Sequence, residues 1–230
     1  MKVIGHRGAM GLVPENTLLS FRKALELGVD GVEFDVQNID GNLLVFHDDT
    51  LERTTNGKGL LLDHSVEYLR NLDAGQGERI PFLHEVIELI DKDTFINIEL
   101  KGVRTASLVM HLVKLLDKDH YNKDNFIISS YLFSELFLIR QLDPDIKIGV
   151  IADDQPDVAL SFARDVNAYS FHPSLSLVSK ELVEQVHQEG MLLYVHTVND
   201  PDNIAKVKAM GVDGVFTDYP DRVKGIISNP

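Results

Sequence analysis

A closed (β/α)8 barrel, the TIM-barrel fold class, is the architecture predicted for this chain of 230 residues. Three observations predict it. Short apolar and β-branched runs alternate with helical stretches along the chain, and counting them gives eight strands; alternation at that density implies a parallel sheet. No linker, charge block or low-complexity tract divides the sequence, so one domain over residues 1–230 is expected. Polar residues gather where the predicted strands end, and the C-terminal strand ends are where such barrels carry their function. An open doubly wound sheet is the alternative that the local pattern leaves standing.

Lys2-Val3-Ile4-Gly5 is an apolar run that stops abruptly at His6-Arg7-Gly8, and it reads as a first strand delivering polar groups at its end. Pro14-Glu15-Asn16-Thr17 opens a helix carrying Leu18, Phe21, Leu25 and Leu27, which stops at Gly28. The second strand, Gly31-Val32-Glu33-Phe34-Asp35-Val36-Gln37, completes a βαβ unit. About sixty residues then pass before the next barrel strand, more than one helix needs. Within them Asp40-Gly41 is a hairpin signal and Asn42-Leu43-Leu44-Val45-Phe46 a returning strand, followed by the glycines of Thr55-Asn56-Gly57-Lys58-Gly59 and Ala74-Gly75-Gln76-Gly77. An insertion over about residues 38–80, crossing the C-terminal mouth, is predicted. The remaining strands fall at 95–100, 126–130, 146–152, 168–171, 191–196 and 212–217, with helices near 106–116, 134–141, 156–164, 179–189 and 201–210.

Composition narrows the function. The chain is 44% hydrophobic and 25% charged, enough to bury a sizeable core. A net charge of -14 repels nucleic acid and anionic membrane surfaces, while a small anion can still bind where positive charge is local. There is no cysteine, hence no disulfide framework or thiol chemistry. The N-terminal apolar run is too short for a signal peptide and no segment approaches the ~18 apolar residues of a membrane span, so a soluble, cytoplasmic protein is expected. Its partner is then a small molecule, with homo-oligomerisation left open.

Glu33 and Asp35 sit two apart in a strand, so both side chains share one face. Unpaired like charges there would cost several kcal/mol. A divalent cation between them is the simplest remedy; two solvated acids at an exposed strand end are the plain alternative. Glu99-Leu100-Lys101 repeats the spacing and brings a third carboxylate, and hard oxygen ligands select Mg²⁺ or Ca²⁺ over zinc. Arg7 and Lys101, together beside that site, look like phosphate ligands, although Arg7 alone reads more often as a surface cation and Lys101 alone as a partner of Glu99. His6 ends the first strand, and His47 follows the returning strand. With a plain two-residue turn, paired residue numbers sum to 81 and His47 would point away from the acids, so a three-residue loop, a bulge, or a His47 already outside the strand is expected. His64, His84, His111, His120, His172 and His187 are read as helical or loop residues without a role, Ser129 as a poor nucleophile candidate, and Asp218 as a helix cap or loop tie.

His6-Arg7-Gly8, Pro14-Glu15-Asn16-Thr17, Glu33-Phe34-Asp35-Val36, Asp40-Gly41, His47-Asp48, Arg53-Thr54-Thr55, Ile98-Glu99-Leu100-Lys101 and Phe216-Thr217-Asp218-Tyr219-Pro220, in this order, resemble the glycerophosphodiester phosphodiesterases. The resemblance runs from the first strand to the last. It implies a (β/α)8 barrel with a small insertion after the second strand and cleavage of water-soluble glycerophosphodiesters to glycerol 3-phosphate and an alcohol. It implies His6 and His47 as acid and base, Glu33, Asp35 and Glu99 as ligands of one divalent cation, and Arg7 and Lys101 as phosphate contacts. One departure is His196, before Thr197-Val198-Asn199, where many relatives carry tryptophan. A non-catalytic barrel binding a phosphorylated ligand, a phospholipase-like phosphodiesterase, and a metal-dependent isomerase or aldolase are the rival readings.

Overall fold

The first strand, β1 (Lys2–Gly5), pairs in parallel both with the second, β2 (Gly31–Ile39), and with the last, β9 (Gly214–Thr217), so the sheet closes on itself. The computed structural model of the chain describes residues 1–118 and 122–227; His120 lies outside the described residues. The other strands are β3 (Asn42–Val45), β4 (Phe95–Leu100), β5 (Phe126–Ser130), β6 (Lys147–Ala152), β7 (Ser170–Pro173) and β8 (Leu192–Val195). Around the barrel the order is β1-β9-β8-β7-β6-β5-β4-β2, parallel throughout, with β3 antiparallel on β2. The predicted closed barrel is borne out.

The helices are α1 (Leu18–Glu26), α2 (Val66–Arg70), α3 (Leu83–Leu89), α4 (Ala106–Lys118), α5 (Phe133–Leu142), α6 (Pro156–Asp165), α7 (Lys180–Gln188), α8 (Pro201–Ala209) and α9 (Pro220–Ile227). Capping is local chemistry. Thr17 Oγ1 accepts the Ser20 amide to start α1, and Gly28 at φ 70° follows its C-cap. Asp200 accepts two amides ahead of Pro201 to start α8. Of the helices that were not assigned from sequence, α3 faces the core with Leu83, Val86 and Ile87, and α9 with Pro220 and Val223.

The main core lies between strand faces and surrounding helices, while a smaller aromatic cluster of Ile4, Ile127, Tyr194 and Phe216, backed by Phe95 and Tyr169, forms a separate layer. Two glycines make room for rings that cross between strands: a Cβ on Gly31 would lie 2.5 Å from the Phe95 ring, and one on Gly149 2.4 Å from the His172 ring.

β2 runs past its partners. β1 pairs only as far as Val32, β4 as far as Val36, and Val36–Ile39 pair with β3 instead. Asp40 (φ 48°) and Gly41 (φ 81°) make the turn with both residues left-handed, as a two-residue hairpin requires. The register sums to 81 throughout β3, so the expected bulge or three-residue loop is absent. The other expectation holds: the strand ends at Val45, the Phe46 amide still bonds Asp35 O, and His47 is free to turn toward the acids. The excursion has its own apolar cluster, with Leu51, Leu61 and Leu69 fully buried among Ile39, Leu44, Phe46, Leu72, Ala74 and Ile80.

Because that cluster is separate from the main core, Leu69→Ala should cost about 2–5 kcal/mol locally. Native-state hydrogen exchange is expected to accelerate at amides of residues 42–80 while strand amides of β4–β6 keep their protection. Equal acceleration in both would show that the excursion and the barrel unfold as one unit.

Candidate active site

The loop after β1 is built to place a backbone donor. Arg7 (φ 48°) and Gly8 (φ 85°) are both left-handed, and a Cβ on Gly8 would meet Ser20 Oγ at 2.4 Å. The resulting turn points the Arg7 amide at Glu33 Oε2, 2.9 Å away. Glu15-Asn16-Thr17 then divides its work. Glu15 accepts Arg7 Nη1 at 2.7 Å, Asn16 Nδ2 donates to Asp35 Oδ2 at 2.9 Å, and Thr17 caps α1.

Glu33 and Asp35 are buried in β2, and strand register sets Glu99 of β4 directly beside Asp35. One carboxylate oxygen from each lies within 4.8 Å of the others. Burial and the neighbouring Asp35 and Glu99 charges push Glu33 well above the usual carboxylate range, and burial with Asp35 pushes Glu99 up to about 7. Glu33 Oε1 is buried without a hydrogen-bond partner. An all-oxygen donor set that protein groups only partly satisfy fits a hard divalent cation, so this acidic cluster could hold a metal ion.

Two cations close on the cluster. Arg7 Nε is 3.3 Å from Asp35 Oδ2, and Lys101 Nζ is 2.9 Å from Glu99 Oε1 and 3.9 Å from Asp35 Oδ1. Burial opposes both charges, but the surrounding carboxylates outweigh it and raise both pKa values.

The two histidines share one arrangement. His6 Nδ1 is 2.7 Å from Asp218 Oδ1, with its Nε2 4.0 Å from Glu33 Oε2. His47 Nδ1 is 2.6 Å from Asp48 Oδ1, with its Nε2 3.2 Å from Lys101 Nζ. A carboxylate on Nδ1 keeps a proton there and leaves Nε2 to face the cluster. Burial, aided by the Arg7 and Lys101 charges, holds His47 below the ordinary imidazole value. Asp218 accepts Asn199 Nδ2 at 2.6 Å. It is therefore a loop tie as expected, and also the partner of His6, which the sequence reading missed. Its neighbour Thr217 ends β9, and that strand-end position was the available signal.

His6, Arg7, Glu33, His47, Glu99 and Lys101 all line one cleft of about 240 Å³, closed opposite by Tyr131, Asp153, His172, His196 and Phe216. Asp35 sits behind it, fully enclosed. Here His172 corrects the sequence reading. It lies in β7, is buried, bonds Ser170 Oγ at 2.7 Å, and is pushed down to about 3 by burial, so it contributes a neutral wall. His196 Nε2 pairs with Asp153 Oδ1 at 2.8 Å. Ser129 accepts from Asn97 Nδ2 at 2.8 Å and is fully buried. A larger, shallower groove of about 680 Å³ runs along residues 10–15, 53–56 and 73–76 and contains none of the histidines.

Among the described residues no helix is long and apolar enough to cross a membrane.

The chain is similar to known proteins in sequence and in fold. The model of the glycerophosphoryl diester phosphodiesterase family matches residues 6–222. A glycerophosphodiester phosphodiesterase of Caldanaerobacter subterraneus subsp. tengcongensis is 39% identical, covering 98% of this chain and 97% of the relative. One from Bacillus altitudinis is 38% identical, covering 96% of each. Among solved structures, an Oleispira antarctica phosphodiesterase in complex with the product sn-glycerol-3-phosphate superposes with a TM-score of 0.91 at 32% identity, covering 100% of this chain and 97% of that one.

The raised carboxylates give a stability test with a fixed sign. Groups held above their unfolded pKa stabilise the fold fully below the unfolded value and lose that contribution as pH rises through the folded one, about 7 for Glu99. In chelator, the melting temperature of the wild type minus that of Glu99→Gln should therefore fall from about pH 5 to about pH 8. Groups that do not feel the Glu99 charge, His172 included, cancel in that difference, while Glu33, raised in part by Glu99, adds to it with the same sign. Saturating Mg²⁺ or Ca²⁺ should reverse the trend by binding the ionised site in the wild type. A difference that rises with pH in chelator would contradict the burial of these charges.

Proposed function

The chain belongs to the glycerophosphoryl diester phosphodiesterase family and is a phosphoric diester hydrolase, and from that premise we propose that it cleaves water-soluble glycerophosphodiesters to glycerol 3-phosphate and an alcohol. The observation that carries this reading is the pair of imidazoles, each with a carboxylate at 2.6–2.7 Å on Nδ1 and its Nε2 turned to one acidic cluster. The product held by the Oleispira antarctica relative, sn-glycerol-3-phosphate, supports it.

Glu33, Asp35 and Glu99 would hold one Mg²⁺ or Ca²⁺, which when bound neutralises phosphoryl oxygens. Arg7 and Lys101 bind the same phosphate and orient it. His47, favoured as the neutral base by burial, takes a proton at Nε2 from the nucleophile, either water, which gives glycerol 3-phosphate directly, or the adjacent glycerol hydroxyl, which gives a cyclic phosphate that water then opens. Lys101 Nζ lies 3.2 Å from that Nε2, and its turn toward the phosphate leaves the lone pair open to take the proton. His6, fixed by Asp218, protonates the departing alkoxide from its Nε2. Asp48 and Asp218 stabilise the imidazolium that each step requires. A cleft of about 240 Å³ suits a glycerol phosphate rather than an intact phospholipid, and the overall charge of -14 disfavours an anionic lipid surface.

Assay of a panel of glycerophosphodiesters with and without cation tests the whole reading. Chelator should abolish turnover and Mg²⁺ or Ca²⁺ restore it; Glu33→Gln, Asp35→Asn and Glu99→Gln should each weaken cation binding. His6→Ala and His47→Ala should each lower kcat about 10²-fold or more while leaving cation binding in place. A diester lacking the adjacent hydroxyl should bind but turn over very slowly if that hydroxyl attacks first. Full activity in excess chelator, or faster cleavage of phospholipid vesicles than of soluble diesters, would sink the assignment.

A further inference from the structure

Arg53 does not line the cleft, yet its guanidinium grips two of the carboxylates that serve it. Nε and Nη2 donate to Asp48 Oδ2 and Oδ1, both at 2.6 Å, while Nη1 and Nη2 donate to Glu15 Oε2 and Oε1 at 2.6 and 2.8 Å. Those two carboxylates face opposite ways. Asp48 holds His47 Nδ1 at 2.6 Å, and Glu15 holds Arg7 Nη1 at 2.7 Å. A chain of charge-assisted bonds therefore runs from the proton acceptor through Asp48, Arg53 and Glu15 to the phosphate-binding Arg7. Glu15 belongs to the loop after β1, whereas Asp48 and Arg53 belong to the excursion.

We propose that Arg53 is a positioning residue, a clasp that registers the excursion on the barrel so that His47 and Arg7 face the same phosphate. Charge balance alone does not account for it. Arg53 neutralises Glu15 and Asp48, only 9% and 19% exposed, but a single ammonium would supply that charge as well. The excursion already has an apolar cluster to hold it closed. Two forked carboxylate contacts from one planar group give orientation, which lysine cannot reproduce with a single ammonium. Pinning matters because His47 lies outside any strand, and a base displaced by about 1 Å loses on the order of 10²-fold in rate.

The inference rests on the roles given above to His47 and Arg7, so its test includes a signal independent of turnover. In the proton NMR spectrum, the downfield Nδ1–H resonance of His47, identified by its loss in His47→Ala, should vanish or shift in Arg53→Ala. It should persist in Arg70→Ala, which removes another excursion arginine, one that ties Ile80 O and Glu85. With glycerophosphocholine and with bis(4-nitrophenyl) phosphate, Arg53→Ala should lower kcat about 10- to 100-fold, Arg53→Lys should recover less than half of the loss, and Arg70→Ala should stay within threefold of the wild type. If the wild type fails on glycerophosphocholine alone, the substrate reading fails while the resonance still decides the role of Arg53. An unchanged resonance in Arg53→Ala, a kcat within threefold of the wild type, a loss confined to KM, or the same losses in Arg70→Ala would overturn the clasp.

Discussion

Repulsion among Glu33, Asp35 and Glu99 is the constraint to which the rest of the molecule answers. With oxygens within 4.8 Å, each ionised pair costs about 3–4 kcal/mol at an effective dielectric of 20. Desolvation of Glu33 and Asp35, each with almost no exposure, adds to that. Every neighbouring feature supplies compensation of one kind. The left-handed turn at Arg7-Gly8 turns an amide onto Glu33, Asn16 supplies an amide to Asp35, Arg7 and Lys101 bring charge, and Glu33 Oε1 is left open. Three carboxylates against two cations leave a negative remainder that a divalent ion would convert to a positive field, which is what an anionic diester needs.

Barrel geometry fixes where that field points. Parallel strands send all their C-terminal ends to one rim, and β2 continues past its neighbours until only a hairpin partner remains for it. The overrun creates the excursion, and the excursion returns the chain to the rim at His47. A histidine carried on a barrel strand would be confined by alternation to an inward or outward direction. Leaving the strand at Val45 removes that confinement at the cost of rigidity, and Asp48 together with the apolar cluster around Leu51, Leu61 and Leu69 supplies the missing rigidity.

Which parts were legible in the sequence follows from range. The barrel was legible because its signals are periodic and local: eight apolar runs, the helix start at Pro14-Glu15-Asn16-Thr17, and a hairpin at Asp40-Gly41 whose register was computable from the turn. The acidic cluster was legible because period two forces Glu33 and Asp35 together, and Glu99-Leu100-Lys101 repeats the pattern. Asp218 as the partner of His6, Asp48 as the partner of His47, and the cleft wall of Tyr131, Asp153 and His172 were not. Those depend on which strands become neighbours across a closed ring, or on the direction a loop takes after its strand ends. His172 shows the limit well: its strand was assigned as ending one residue earlier, at Phe171, so nothing indicated that it faced inward.

The two imidazole–carboxylate pairs have nearly the same geometry but opposite dependence on the fold. His47 and Asp48 are adjacent in sequence, so their contact needs only the local conformation of the excursion. His6 and Asp218 are 212 residues apart and meet because β1 pairs with β9, with His6 N donating to Thr217 O at the last rung of that seam. Closing the ring therefore builds one of the two proposed acid-base groups, and an open sheet with the same strands would leave His6 without its partner. The acidic residues come from β2 and β4, both within the first hundred residues, whereas the complete site requires the last strand to close the ring.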